Sequence, residues 1–151
     1  MASARRTGRW RGLLANLSNE SAREQLALAA FEGVLLGLLA GHSAIQQAGA
    51  RADGRVVVAG GGARSSAYRQ VLADLLGKPV HLLDAPEATA RGACVQAAAV
   101  LQNRDIRAMR EEWRPAVLSI DHPRNEAVQD LRAKYQVVAD VAERVSLEIR
   151  D

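Results

Sequence analysis

Cysteine is nearly absent: Cys94 is the only one in 151 residues. That excludes an internal disulfide framework and a cysteine-built zinc site. Aromatic residues make up 3% of the chain, so the core has to be assembled from small aliphatic side chains, chiefly alanine and leucine. Long apolar runs are missing too. The longest, residues 34–40, is interrupted by Gly37 and is too short to cross a bilayer. Residues 1–11 carry arginines with no apolar stretch behind them, so no secretory signal is read there. A soluble, cytoplasmic chain without membrane contact is expected. Excess charge is small: 20 basic minus 17 acidic residues leave +3, which does not require a nucleic-acid partner. The basic start, Arg5, Arg6, Arg9 and Arg11, reads as a solvated terminus. His42, His81 and His122 fall on a helix, a strand and a loop, without the spacing of a metal site. No metal ligand is assigned.

What is present is a globular composition, 48% hydrophobic, and a length suited to one domain. Residues 1–20 read as a basic lead-in with a short extended piece near Trp10–Leu14. Asn19 or Ser21 is placed to cap a long helix over 21–47, whose Leu26, Ala29, Ala30, Gly33, Val34, Gly37 and Leu38 recur at helical spacing. Two glycines on that face suggest another backbone packed close. Then the period changes. Residues 55–59 include three consecutive valines and read as a buried, parallel strand. A glycine run follows, and then an amphipathic helix over 65–76 with Val71, Leu72, Leu75 and Leu76 inward. Gly77 caps it, Lys78–Pro79 ends it, and residues 80–83 form a second strand. An alanine-rich helix spans 88–102, with Cys94 expected inside as a small buried hydrophobe. Residues 114–123 read as extended. A final charged helix covers 125–149, with Val128, Leu131, Tyr135, Val138, Val141 and Val145 on one stripe. The alternation of helix and strand argues for an α/β fold.

The chemistry concentrates where the valine strand runs into Gly60, Gly61, Gly62, Ala63, Arg64, Ser65 and Ser66. Glycines there allow positive φ and let a ligand approach bare backbone. The following helix start offers unpaired N–H groups and a partial positive charge. Ser65 and Ser66 can cap the helix or donate to a ligand hydroxyl. The same glycines could simply make a tight strand-to-helix turn. A dinucleotide reading is also open, because Gly60-x-Gly62-x-x-Ser65 approximates G-x-G-x-x-G and Asp84 closes the next strand. Serine at the third position departs from that fingerprint. Asp53 reads as a turn residue and Asp84 as a loop cap, so neither is assigned as a catalytic base.

Four blocks carry a longer pattern: Phe31-Glu32-Gly33-Val34; Val57-Val58-Ala59-Gly60-Gly61-Gly62-Ala63-Arg64-Ser65; Gln70-x-x-Ala73-Asp74-x-x-Gly77-x-Pro79-Val80; and Glu87-Ala88-x-Ala90-Arg91-Gly92-Ala93. Over roughly residues 8–102 their order and spacing resemble the C-terminal part of the FGGY-type carbohydrate kinases, and within that family the xylulokinase branch. The segment between Leu13 and Gln25 is several residues longer than is usual there.

The resemblance implies an actin-like, ribonuclease-H-like lobe, entered partway through, with parallel strands and flanking helices. It implies that Gly60, Gly61, Gly62, Ala63, Ser65 and Ser66 lie against the adenosine part of ATP, Ser66 near the base or ribose. The block at 87–93 would start a helix packed behind that site. In such kinases the sugar pocket and catalytic aspartate belong to upstream sequence. The expectation is therefore a nucleotide-binding lobe over 21–102 and an extension over 103–151. ATP with Mg2+ would phosphorylate a ketopentose such as D-xylulose only in the complete enzyme. This chain alone would be silent, with no catalytic residue of its own, and prone to self-association through its valine strand or last helix. A non-catalytic binding module and a dinucleotide-binding oxidoreductase piece are the alternatives.

Overall fold

The computed structural model describes residues 13–124 and 128–148. The arginines at 5, 6, 9 and 11, and Trp10, lie outside the described residues, as does the side chain of Val128. The elements run α1 (Arg23–Gln47), β1 (Val56–Val58), a 3-10 turn (Gly62–Arg64), α2 (Ser66–Leu76), β2 (Val80–Leu83), α3 (Ala88–Leu101), α4 (Ile106–Glu112), β3 (Val117–Asp121) and α5 (Val128–Glu148). The strands form one sheet in the order β1-β2-β3. β1 and β2 are parallel, with Val56 opposite Val80 and Val58 opposite Leu82. β3 runs antiparallel to β2, bringing Asp121 opposite Val80. The fold is thus α/β with flanking helices: the expected parallel strands are β1 and β2, and the extended segment after α4 joins them antiparallel as β3, so the sheet is mixed. A single crossover helix would return the chain for a parallel strand, but two helices, α3 and α4, separate β2 from β3. The chain re-enters the sheet where it left: the Asp84 amide donates to the Ala116 carbonyl at 2.9 Å.

One face of the sheet carries the main core. Leu35, Leu36 and Leu39 of α1 pack with Leu72, Ala73 and Leu75 of α2 over Val80, while Leu131 and Tyr135 of α5 close the side. This corrects the expected face of α1. Leu26, Val34 and Leu38 are 37%, 61% and 60% exposed, and the inward stripe is the neighbouring one. The helix is apolar nearly all round, so periodicity cannot choose the stripe; contact with α2 does. By length and composition α1 could also cross a membrane, yet here it lies against α2 and α5. Its glycines do not admit a close backbone. A Cβ on Gly33 would meet open space, and one on Gly37 would meet the Tyr135 hydroxyl at 3.4 Å.

The cap of α1 also differs. Ala22 occupies the N-cap position, and its amide donates to the Gln25 side-chain oxygen at 2.9 Å. Ser21 instead accepts from the amide of Ser18. A second, smaller cluster joins Val95 and Ala99 of α3 to Met109 of α4, with Trp113 beside it. Cys94 faces outward, exposed, which corrects its expected burial. In α3 the inward stripe runs through Val95 and Ala99, and its neighbour Cys94 falls off it. On α5, Leu131 and Tyr135 face the core, whereas Val141 and Val145 are substantially exposed.

Candidate functional site: the glycine turn at the end of β1

Three consecutive β-branched residues favour extended backbone, and β1 delivers the chain to the carboxyl end of the sheet. Gly60 then takes φ +91, a conformation that side chains with a Cβ avoid. The turn tightens into the 3-10 segment, where the amides of Arg64 and Ser65 donate to the carbonyls of Gly61 and Gly62, each at 3.2 Å. Ser65 is the N-cap of α2, its hydroxyl accepting from the Tyr68 amide at 3.2 Å. Ser66, the first residue of α2, is exposed. A Cβ at Gly60 or Gly61 would enter open space, and one at Gly62 would meet only the edge of Tyr68 at 3.9 Å. The turn therefore presents open backbone at the start of a helix whose partial positive end favours phosphate and other acceptors.

Ala63 is the buried member of the group. Its carbonyl accepts from Arg69 Nη1 at 2.7 Å. Arg69 is itself buried and pairs through Nε with Asp121 Oδ2 at 2.7 Å. Sequence reasoning passed over Arg69, because an arginine in a helix ordinarily reads as a solvated face. Tyr68 sets its ring edge-on to Phe31 of α1, with centroids 6.0 Å apart, so the first sequence block reaches the helix that follows the turn. On α1, burial pushes the Glu32 carboxyl above its usual range.

The remaining candidates disperse. His42 sits on α1, and His81 on β2 places Nδ1 3.2 Å from the Val56 carbonyl. His122 is exposed beyond β3, and its carbonyl accepts from Gln70. Asp53 and Asp84 are exposed. Among the described residues no three or more His, Cys, Asp or Glu side chains gather where a metal could be held. The fourth block opens α3 at Glu87–Ala88 as expected, and the buried residues of α3 pack on α4. The dinucleotide fingerprint fits less well than its letters suggest. Its third position, Ser65, is the N-cap, and α2 begins after it, whereas that fingerprint needs a small residue within the helix, packed on the strand.

The profile of the FGGY family of carbohydrate kinases, C-terminal domain, matches residues 2–101. The xylulose kinase of Streptomyces coelicolor is 35% identical over 105 residues, which are 70% of this chain and 22% of that protein. That of Streptomyces rubiginosus is 34% identical over 105 residues, again 70% and 22%. Among solved structures, the xylulose kinase from Rhodospirillum rubrum superposes with a TM-score of 0.72 at 23% identity, covering 87% of this chain and 27% of that one. The fold is accordingly the actin-like one of these kinases. The chain spans about a fifth of the length of the curated relatives it matches.

Proposed function

Because the chain belongs to the FGGY family of carbohydrate kinases, matching its C-terminal domain, we propose that the glycine turn receives the adenosine part of ATP. The observation that carries this reading is the open, positive-φ Gly60 at the carboxyl end of β1, leading into the capped N-terminus of α2. Gly60, Gly61 and Gly62 let the nucleotide approach bare backbone. Ala63 and Ser65 hold the turn's shape, and Ser66 offers a hydroxyl to the ribose or base. Sugar kinases of this family use ATP and a divalent metal. Lacking a carboxylate cluster among the described residues, this chain would meet Mg2+ as the counter-ion of the nucleotide's phosphates.

In a complete kinase the reaction we infer is transfer of the γ-phosphoryl group of ATP to a hydroxyl of a ketopentose such as D-xylulose, in the cytoplasm. Positioning of nucleophile, base, metal and phosphate together is needed for that step, and the glycine turn contributes only the nucleotide end. The 151-residue chain by itself should release no ADP from ATP, Mg2+ and D-xylulose. Sugar-dependent turnover by the clean chain would contradict this division of labour.

Titration calorimetry tests the binding reading. ATP should bind weakly and in preference to NAD. Gly62→Val should abolish binding by setting a branched side chain where the nucleotide lies; its Cβ meets nothing closer than Tyr68 at 3.9 Å, and an unchanged circular dichroism spectrum checks that the fold is kept. NAD binding tighter than ATP would favour the dinucleotide reading instead.

A further inference from the structure

We propose that Arg69 and Asp121 are positioning residues for the glycine turn, and that β3 thereby sets the turn's shape for nucleotide. The inference rests on the nucleotide reading of the turn and extends it to a strand beyond the matched residues 2–101. Arg69 lies in the first turns of α2, and its planar fork faces two ways. Nη1 donates to the Ala63 carbonyl at 2.7 Å, and Nε donates to Asp121 Oδ2 at 2.7 Å. Both side chains are largely buried, 9% and 17% exposed. Arginine suits this role because its donors are fixed in one plane, so anchoring one fixes the direction of the other. Holding the Ala63 carbonyl fixes the plane of the Ala63–Arg64 peptide, whose N–H makes the turn's bond to Gly61, and so restrains the next bond, from Ser65 to Gly62.

Further contacts dock the end of β3 on α2. Gln70 donates to the His122 carbonyl at 2.8 Å, and the Arg124 amide donates to Asp74 Oδ1 at 2.6 Å. Asp121 therefore approaches Arg69 from a segment independently tied to the same helix. Removing the carboxylate leaves a buried guanidinium without its counter-charge. Arg69 then loses its orientation, and the turn loses its clamp.

The test compares Asp121→Ala with Asp121→Asn and Arg69→Lys in the full chain. Amide hydrogen exchange is read at Arg64, Ser65 and Tyr68, with Leu35, Leu36 and Leu39 of α1 as controls. ATP binding is titrated in parallel. In Asp121→Ala, exchange at the three turn amides should quicken on the order of tenfold, as expected for loss of a charge-assisted bond. The α1 amides should keep their protection, and ATP should bind on the order of tenfold more weakly. Asp121→Asn retains an acceptor without the counter-charge and should restore part of both. Arg69→Lys keeps the charge but not the fork, and should fall between. Unchanged turn exchange in Asp121→Ala overturns the proposal, as does equal quickening at the α1 amides, which would mark the pair as general support of the fold. Quicker turn exchange with undiminished ATP affinity overturns the positioning role in binding. Wild-type chain that binds no ATP overturns the nucleotide reading, while the exchange comparison still decides whether β3 clamps the turn.

Discussion

At the scale of single residues, the glycines of the turn are not equivalent. Gly60 holds φ +91, whereas Gly61 sits at φ −59 with open space around it. Gly60→Ala should therefore lower stability by about 1–2 kcal/mol, and Gly61→Ala should leave it nearly unchanged. Denaturant unfolding of the two variants checks the contrast. Glu32 gives a pH signature. Burial raises its folded-state pKa above the unfolded value, so the protonated form is the one folding favours. That contribution is present at low pH and is lost as pH rises through the folded pKa. Glu32→Gln should slightly stabilise the chain at neutral pH, because it removes a partly buried charge. The advantage should vanish below the ordinary carboxylate range. Melting curves of both proteins at pH 7 and pH 3 make the comparison. In the candidate site, the turn at Gly60 and the cap at Ser65 were legible because backbone freedom and capping leave letters in the sequence. The Arg69–Asp121 pair was not, since two charges 52 positions apart carry no local mark of their meeting.

Among the elements, α2 and β2 were readable almost to their ends. An N-cap serine, an apolar stripe and a left-handed Gly77 all point the same way. α1 was legible as a helix but not in its orientation. Val34, Leu35 and Leu36 follow one another there, so a stripe through Val34 and one through Leu35 differ only by what packs on them. α4 went unrecognised, though its signals exist. Asp105 caps it, accepting from the amides of Arg107 at 2.9 Å and Ala108 at 3.0 Å. Ile106, Met109 and Trp113 stand at helical spacing, but interleaved arginines and glutamates mask the stripe. Asp105→Ala should cost about 1 kcal/mol and loosen α4 first. Exchange of the Arg107 and Ala108 amides reports that fraying. β3 was legible as extended chain, while its antiparallel partner choice is a property of the sheet and not of the segment.

For the whole molecule, the consequential feature is apolar surface that the described residues leave uncovered. β1 is an edge strand of the described sheet, and Val57 on it is 45% exposed. Val34 and Leu38 of α1 are exposed as well. Unblocked edges and contiguous apolar surface promote pairing with other chains, so the isolated chain should run as a dimer or larger in size exclusion with light scattering. Leu38→Glu should shift it toward monomer without loss of helix content; a sharply melting wild-type monomer at micromolar concentration would contradict this. The most direct measurement of the central claim is an amide-resolved NMR titration of the chain with ATP and Mg2+. Shifts should concentrate at residues 60–66 and the first turn of α2, and be weaker with NAD at equal concentration. Shifts confined to other surfaces, with the glycine turn unmoved, would contradict it.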